Sequence, residues 1–446
     1  MCGFFTRFSR GLILFGVDRR TWGQTGEECR DFSRLMSVIE SYGMANKALR
    51  SGPDLSNGMK LALIGFGQAG GKIVDRFLTY DDVIDGSFVT DAVAVNTATT
   101  DLRGLDRVPR NKQVLIGQSR VRGHGVGADN DLGAQVARDD IDEIQHALDS
   151  VPVHEIDAFL LIAGLGGGTG SGGAPVLASH LSALYTVPVY GLAVLPAMDE
   201  GGVYTLNAAR SFQTFVHEVD NLLVFDNDDW RRAGESLSHG YDAINQEIVD
   251  RFGVIFGAGE VRTGDGVGES VVDSSEIINT LAGGGVSTVG HAAETVTPAS
   301  GGLLARFVGY GQDEDAVTAT TRLTSLVRKA TLGRLTLPCD VSSTERSLVV
   351  AAGPPETLNR KGIERGRSWL ESETGCMEVR GGDYPRPGDR EVSVTVLLSG
   401  ITDVPRIKQL QQVAIEANER CEEIDAESER ELEALVDTGG ELDALF

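Results

Sequence analysis

Lysine is scarce in this chain. Seven of its 40 basic residues are lysine and the other 33 are arginine, in 446 residues that carry 65 acidic side chains and a net charge of −25. A surface this acidic excludes nucleic acid or an anionic membrane as the main partner, because both require clustered positive charge. It suits a solution of very high salt, where repulsion between exposed carboxylates is screened within about 3 Å. Cysteine is equally sparse: five residues, at 2, 29, 339, 376 and 421, form neither a disulfide framework nor a C-x-x-C metal site, which indicates a reducing compartment. Long hydrophobic runs are missing too. The longest early one, Gly11–Val17, is far short of the roughly 18 residues that span a bilayer, and no small-residue cleavage site follows it. The expectation is a cytoplasmic protein without direct membrane insertion. The phosphate loop of Walker-type nucleotidases, G-x-x-x-x-G-K-[ST], does not occur.

Glycine, by contrast, is abundant, with 56 residues concentrated at informative places. The apolar run Ala158–Ile162 reads as a buried strand, and the following Ala163–Pro175 holds Gly164, Gly166, Gly167, Gly168, Gly170 and Gly172 around Thr169 and Ser171. A helix is expected from about Ala174–Pro175, since proline is tolerated in a first turn. Side chains removed at this density let backbone N–H groups close on an anion at a helix N-terminus.

A second cluster lies upstream, where Leu61–Ile64 runs into Gly65-Phe-Gly67-Gln68-Ala69-Gly70-Gly71-Lys72 and then a helical pattern. Gly65, Gly67 and Gly70 spell G-x-G-x-x-G, which admits a dinucleotide-binding reading. That reading requires an acid after the second strand for the ribose, whereas Ala92–Val95 ends in Asn96-Thr97, and it leaves the loop at 164–172 unexplained.

Strands and helices alternate from 60 to about 230, the pattern of a parallel sheet covered on both faces. A long helix is expected from about Ser236 to Phe256, with Ile244, Ile248, Phe252 and Ile255 on one side. The chain then divides, in expectation, into an atypical extension at 1–58, a nucleotide-binding domain at 59–235, the central helix and a following loop at 236–274, an α+β domain with a mixed sheet at 275–405, and an acidic helix and tail at 406–446. The extension carries eight basic against six acidic residues, about +2, which leaves about −27 for the rest. Met59 directly precedes the first strand, so a start there stands beside a disordered extension or a basic targeting arm. The acidic tail, ending in Ala444-Leu-Phe446, reads as a solvated segment or as a partner-binding peptide.

The stretch GGGTGSG at 166–172 resembles the signature of the tubulin/FtsZ superfamily of GTPases. The resemblance covers about 60–405 and implies that fold: a Rossmann-like GTPase domain, a central helix and a second α+β domain. It implies phosphate contacts from Gln68, Ala69, Gly70, Gly71 and Lys72, and from Gly167, Gly168, Thr169, Gly170 and Ser171. Arg122–Asn130 matches the family's loop beside the terminal phosphate, and Asn96–Thr99 matches its stretch after the second strand. Glu200 matches the acidic ribose contact, with Asp199 as its rival. Base recognition falls to Asn227, Tyr241 and Asn245; the last two, four apart, share a helical face. Asp273 and Glu276 match the two acids that reach the next subunit's nucleotide and activate the attacking water, and Thr263–Gly268 matches the loop before them. Carboxylates at a helix start are also common dipole partners. Mg²⁺ is implied with the nucleotide, largely on water ligands, and no protein ligand for it can be named.

Tyr204 stands where FtsZ has an Arg, and Val271 where it has an Asn, while the base and acid contacts lean toward tubulin. This mosaic on an acidic, lysine-poor chain is similar to the CetZ group of haloarchaeal tubulin-like proteins. The group implies GTP and GDP as ligands, head-to-tail self-assembly with a shared active site, and control of cell shape. The alternatives are an FtsZ-type division-ring protein, a nucleotide-binding regulator that copolymerises without hydrolysing, and an NAD-type oxidoreductase.

Overall fold

The computed structural model describes residues 58–231, 237–259, 271–296 and 312–417, with positions 419, 428 and 430. The extension before 58, the loop Thr263–Gly268 and the end of the tail lie outside the described residues.

Strand β1 (Leu61–Phe66) shows how the fold is built, because all six of its residues are buried. Ala62, Ile64 and Phe66 enter one core, while Leu61 and Leu63 enter another on the opposite face. A strand apolar on both faces must be covered on both, as parallel sheets require. Helices α1 (Gly67–Val83) and α5 (Leu237–Gly257) supply Phe77, Ile248 and Phe252 to the second core. The first core takes Val136, Leu177, Phe215 and Leu323 from α2 (Asn130–Asp139), α3 (Thr169–Leu184), α4 (Gly202–Glu218) and α7 (Gln312–Leu332). Ile244, Ile248, Phe252 and Ile255 of α5 are all buried, as their spacing predicts.

Ten strands form one sheet in the order β3-β2-β1-β4-β5-β6-β7-β10-β8-β9. The first six are β1, β2 (Val89–Asn96), β3 (Gln113–Leu115), β4 (Ala158–Gly164), β5 (Val189–Leu195) and β6 (Asn221–Asp226), all parallel. The remainder are β7 (Val286–Thr295), β8 (Arg346–Gly353), β9 (Glu378–Pro385) and β10 (Glu391–Ile401); β10 runs antiparallel to β7 and β8, and β8 parallel to β9. This part is the mixed sheet that the sequence predicts. It joins the parallel part through a short seam, with Leu222 and Leu223 opposite Val286 and Ser287.

One expectation is corrected. Helix α3 starts at Thr169, not near Ala174–Pro175, so Pro175 lies inside it. Proline lacks the N–H that the carbonyl of residue 171 would receive. Ser211 on α4 replaces it, donating from Oγ to Ser171 O at 2.6 Å.

Candidate functional site

In the parallel part the strand order reverses between β1 and β4, and crevices for ligands form at the carboxyl ends of strands where such a reversal occurs. Both glycine loops leave the sheet there. Gly67, after β1, has φ +75°, and a β-carbon on it would lie 2.9 Å from Gly170 N, so the loops touch backbone to backbone. A β-carbon on Gly70 would meet Ile162 O at 2.1 Å, and one on Gly172 would meet Asn130 O at 2.1 Å. Gly167 differs: nothing lies within 4 Å of its added β-carbon, and the residue is exposed. Most of these glycines therefore permit close packing, and Gly167 is the one that faces open space.

The loops open α1 and α3, neither of which has a side-chain cap or an acid in its first turn. Asp129, Asp273 and Asn359, in contrast, cap the helices that follow them. Two uncapped helix N-termini side by side present free N–H groups and positive dipole ends to one place, which favours an anion. Gln68 and Lys72 are exposed there, Ala69 and Thr169 half-buried, and Gly70, Gly71, Gly168, Gly170 and Ser171 buried.

Several of these side chains hold the loops themselves. Ser171 Oγ donates to Gly167 O and accepts from Asn130 Nδ2 at 3.0 Å. Thr97 Oγ1 lies 2.6 Å from Thr169 Oγ1, binding the end of β2 to the signature loop. Asn96 is buried and turned inward: its Oδ1 accepts from Ala98 N at 3.1 Å and its Nδ2 donates to Asp101 at 3.2 Å. The Arg122–Asn130 loop is pinned to β2 by Gly125 N donating to Thr97 O at 3.1 Å. Asn207 of α4 donates from Nδ2 to Ala128 O at 2.7 Å and to Gly166 O at 3.1 Å, joining that loop to the signature loop. Sequence reading missed Asn207, since nothing local marks an asparagine inside a helix whose partners are 41 and 79 residues away.

The loops after β5 and β6 form the adjoining wall. Glu200 is half-buried and accepts from Ala197 N at 2.8 Å. The Tyr241 hydroxyl, on α5, hydrogen-bonds to Glu200; burial and then that carboxylate push its pKa up to about 12. Asp199 is exposed and paired with Arg231, which leaves Glu200 as the acid facing Tyr241. Asn245 is buried one turn along the same helix. Asn227, after β6, is buried, and its Oδ1 has no hydrogen-bond partner among the described residues. A buried acceptor left unpaired costs about 1–3 kcal/mol, so Asn227 suits a ligand with an N–H to give.

Asp273 and Glu276 stand apart from this crevice, at the start of α6 (Ser274–Leu281). Asp273 Oδ1 accepts from Ser275 Oγ at 2.6 Å and Glu276 N at 3.0 Å, the dipole-partner role of a cap. Glu276 is half-buried, and burial, followed by the Asp273 charge, raises its pKa while Arg367 and Arg380 oppose the shift. Among the described residues no group of three His, Cys, Asp or Glu could hold a metal ion, and no helix is long and apolar enough to cross a membrane.

Residues 60–235 match the Tubulin/FtsZ family, GTPase domain, and residues 234–416 match the C-terminal domain of tubulin-like CetZ. Over 372 residues the chain is 68% identical to tubulin-like protein CetZ1 of Haloferax volcanii, covering 82% of this chain and 94% of that protein. The chain belongs to the tubulin-like CetZ family. Its GTPase domain is that of the tubulin/FtsZ family, and the dinucleotide reading of Gly65–Gly70 gives way to it. Two solved CetZ structures share the fold. CetZ1 from Haloferax volcanii, a GDP-bound monomer, superposes with a TM-score of 0.73 at 64% identity, covering 81% of this chain and all of that one. CetZ2 from the same organism, a GTPγS-bound protofilament, gives 0.72 at 44% identity, covering 82% of this chain and all of that one.

Proposed function

We propose that this chain binds GTP in the crevice between the two glycine loops and polymerises head to tail, each site being completed by the next subunit. The observation that carries the reading is the pair of uncapped helix N-termini, α1 and α3, meeting where the strand order reverses. Gln68–Lys72 and Gly167–Ser171 would hold the phosphates, chiefly through backbone N–H groups, since Ser171 and Asn96 spend their side chains on the loops. Glu200 would accept from the ribose hydroxyls and Tyr241 would stack on the base. The unpaired Oδ1 of Asn227 would accept from guanine's N–H edge, where adenine offers an acceptor and a C–H instead.

For hydrolysis, water attacks the terminal phosphorus, the bond to the bridging oxygen breaks, and GDP and phosphate leave. Glu276 of the neighbouring subunit takes the water's proton, and its raised pKa suits it to do so. Asp273 fixes the turn that carries Glu276. Mg²⁺, bound through phosphate oxygens and water, would neutralise charge on the phosphates. The domain division at 59–235, 236–274, 275–405 and 406–446, the cytoplasmic location, partner binding by the tail and a role in cell shape belong to the same proposal. They rest on family membership, and the CetZ2 protofilament supports the assembly.

The test is titration of the purified chain with GTP, ATP and NADH in molar KCl, followed by sedimentation of polymer. Preference for GTP and GTP-dependent pelleting are expected. Preference for NADH, or no binding of GTP, would reject the reading.

A further inference from the structure

The loop with Glu200 and the turn with Asn227 come from different strands, yet a base and its ribose must meet both at once. A buried arginine from far along the chain joins them. Arg406 lies just beyond β10, in a segment anchored in the first core by Val404 and Leu410, and only 6% of it is exposed. Its Nη2 donates to Pro196 O at 2.8 Å, its Nη1 meets Met198 Sδ, and its Nε is 3.3 Å from Asp226 Oδ2, a charge contact without an aligned hydrogen bond. Asp226 is itself 3% exposed and precedes Asn227; its Oδ1 accepts from Asp228 N at 3.2 Å. Asp228 closes the ring by accepting from Met198 N at 2.8 Å.

We propose that Arg406 is a positioning residue for nucleotide selection, setting the separation between the Glu200 loop and Asn227 by gripping Pro196 and Asp226 with one rigid guanidinium. The inference rests on the base and ribose contacts proposed above and adds to them a residue that touches no nucleotide. Arginine suits the task because its planar fork spans a carboxylate and a carbonyl together, whereas lysine offers a single point charge. Its charge faces Asp226 at 3.3 Å and its Nη2 donates to Pro196 O, both on this chain, so the contact acts through geometry.

The test compares three full-length variants, Arg406→Lys, Asn227→Ala and the double variant Asp226→Asn with Arg406→Gln, with the unaltered chain. The double variant leaves no uncompensated buried charge, so it keeps the fold while losing the fork. Affinities are measured for GTP, for inosine triphosphate, which lacks only guanine's 2-amino group, and for 2′-deoxy-GTP, which lacks one ribose hydroxyl. Thermal melting checks the fold. In both Arg406 variants the preference for GTP over each analogue should fall at least threefold, with cooperative melting retained. Preferences within twofold of the unaltered chain in a folded double variant would overturn the proposal. Asn227→Ala must lower the preference over inosine triphosphate by itself. If it does and the Arg406 variants do not, only Arg406's role is lost; if it does not, the base assignment fails and takes this proposal with it.

Discussion

Gly70→Ala and Gly167→Ala add one methyl group to each glycine loop, and the structure assigns them opposite consequences. At Gly70 the new carbon would lie 2.1 Å from Ile162 O, where ordinary contact begins at 3.4 Å. The obstacle is backbone of the central strand β4, so helix α1 must move off the sheet by about 1 Å in a core that has no slack. Overpacking of this kind costs about 1–3 kcal/mol, and the upper end applies because no side chain can rotate away. Alanine's better helix propensity returns about 1 kcal/mol, for a net loss of about 2 kcal/mol. In a chain this long that lowers the melting temperature by about 2 °C. At Gly167 the methyl meets nothing, so melting should not change, whereas a backbone that must approach a phosphate is obstructed and GTP affinity should fall about tenfold. Scanning calorimetry without nucleotide and a fluorescent-GTP titration read the two effects. Unaltered melting of Gly70→Ala, or destabilisation of Gly167→Ala, would show that the division of the glycines into packing and ligand positions is wrong.

Three further outcomes are expected. Glu276→Ala should bind GTP normally but hydrolyse it about 10²–10⁴-fold more slowly. Mixing it with a variant defective in the Gly167–Ser171 loop should restore some turnover at mixed interfaces; phosphate release independent of protein concentration would reject the shared site. His291 is held neutral by burial, followed by the nearby Arg251 and Arg386 charges, with its pKa lowered to about 4. The unfolded chain then takes up a proton that the fold refuses, so about 3 kcal/mol of stability present at pH 7 should disappear as pH falls from about 6.5 toward 4. Denaturant melts of His291→Gln should lack that part of the decline. Ser211→Ala should cost about 1–3 kcal/mol by leaving Ser171 O unpaired beside Pro175; a chemical melt showing no loss would mean that the carbonyl finds another donor.

The parts of the fold legible in the sequence are those written locally. Leu61–Ile64 and Ala158–Ile162 are strands because they are apolar on both faces, and the glycine runs after them mark the crevice. The helix start after β4 lies earlier than the sequence predicts because Pro175 reads locally as a first-turn residue, whereas a distant serine supplies the donor that lets it sit inside the helix. Strands β7 and β9 escaped notice because polar residues in one, and Gly381, Gly382 and Pro385 in the other, break the apolar pattern. At the candidate site, the family resemblance points to Glu200 and Asn227, and helical spacing places Tyr241 beside Asn245. Asn207, Asp226 and Arg406 carry no such signal, since each works through partners contributed by other elements. The separation of 180 positions between Asp226 and Arg406 in sequence leaves no periodicity to detect.

The ends of the sheet bear on a hazard that the proposed self-assembly would bring. An open strand edge is a template for indiscriminate cross-β pairing, and crowding subunits together raises that danger. Here one edge, β3, is three residues long. The other, β9, begins on Glu378, is interrupted by two glycines and ends on proline, while Val272 N donates to Asp383 O beside it. Neither border offers a long flat ladder to a stranger, so in the head-to-tail polymer proposed above the sheet's own hydrogen bonds would not be the means of growth, and orderly polymer would stay distinct from amyloid.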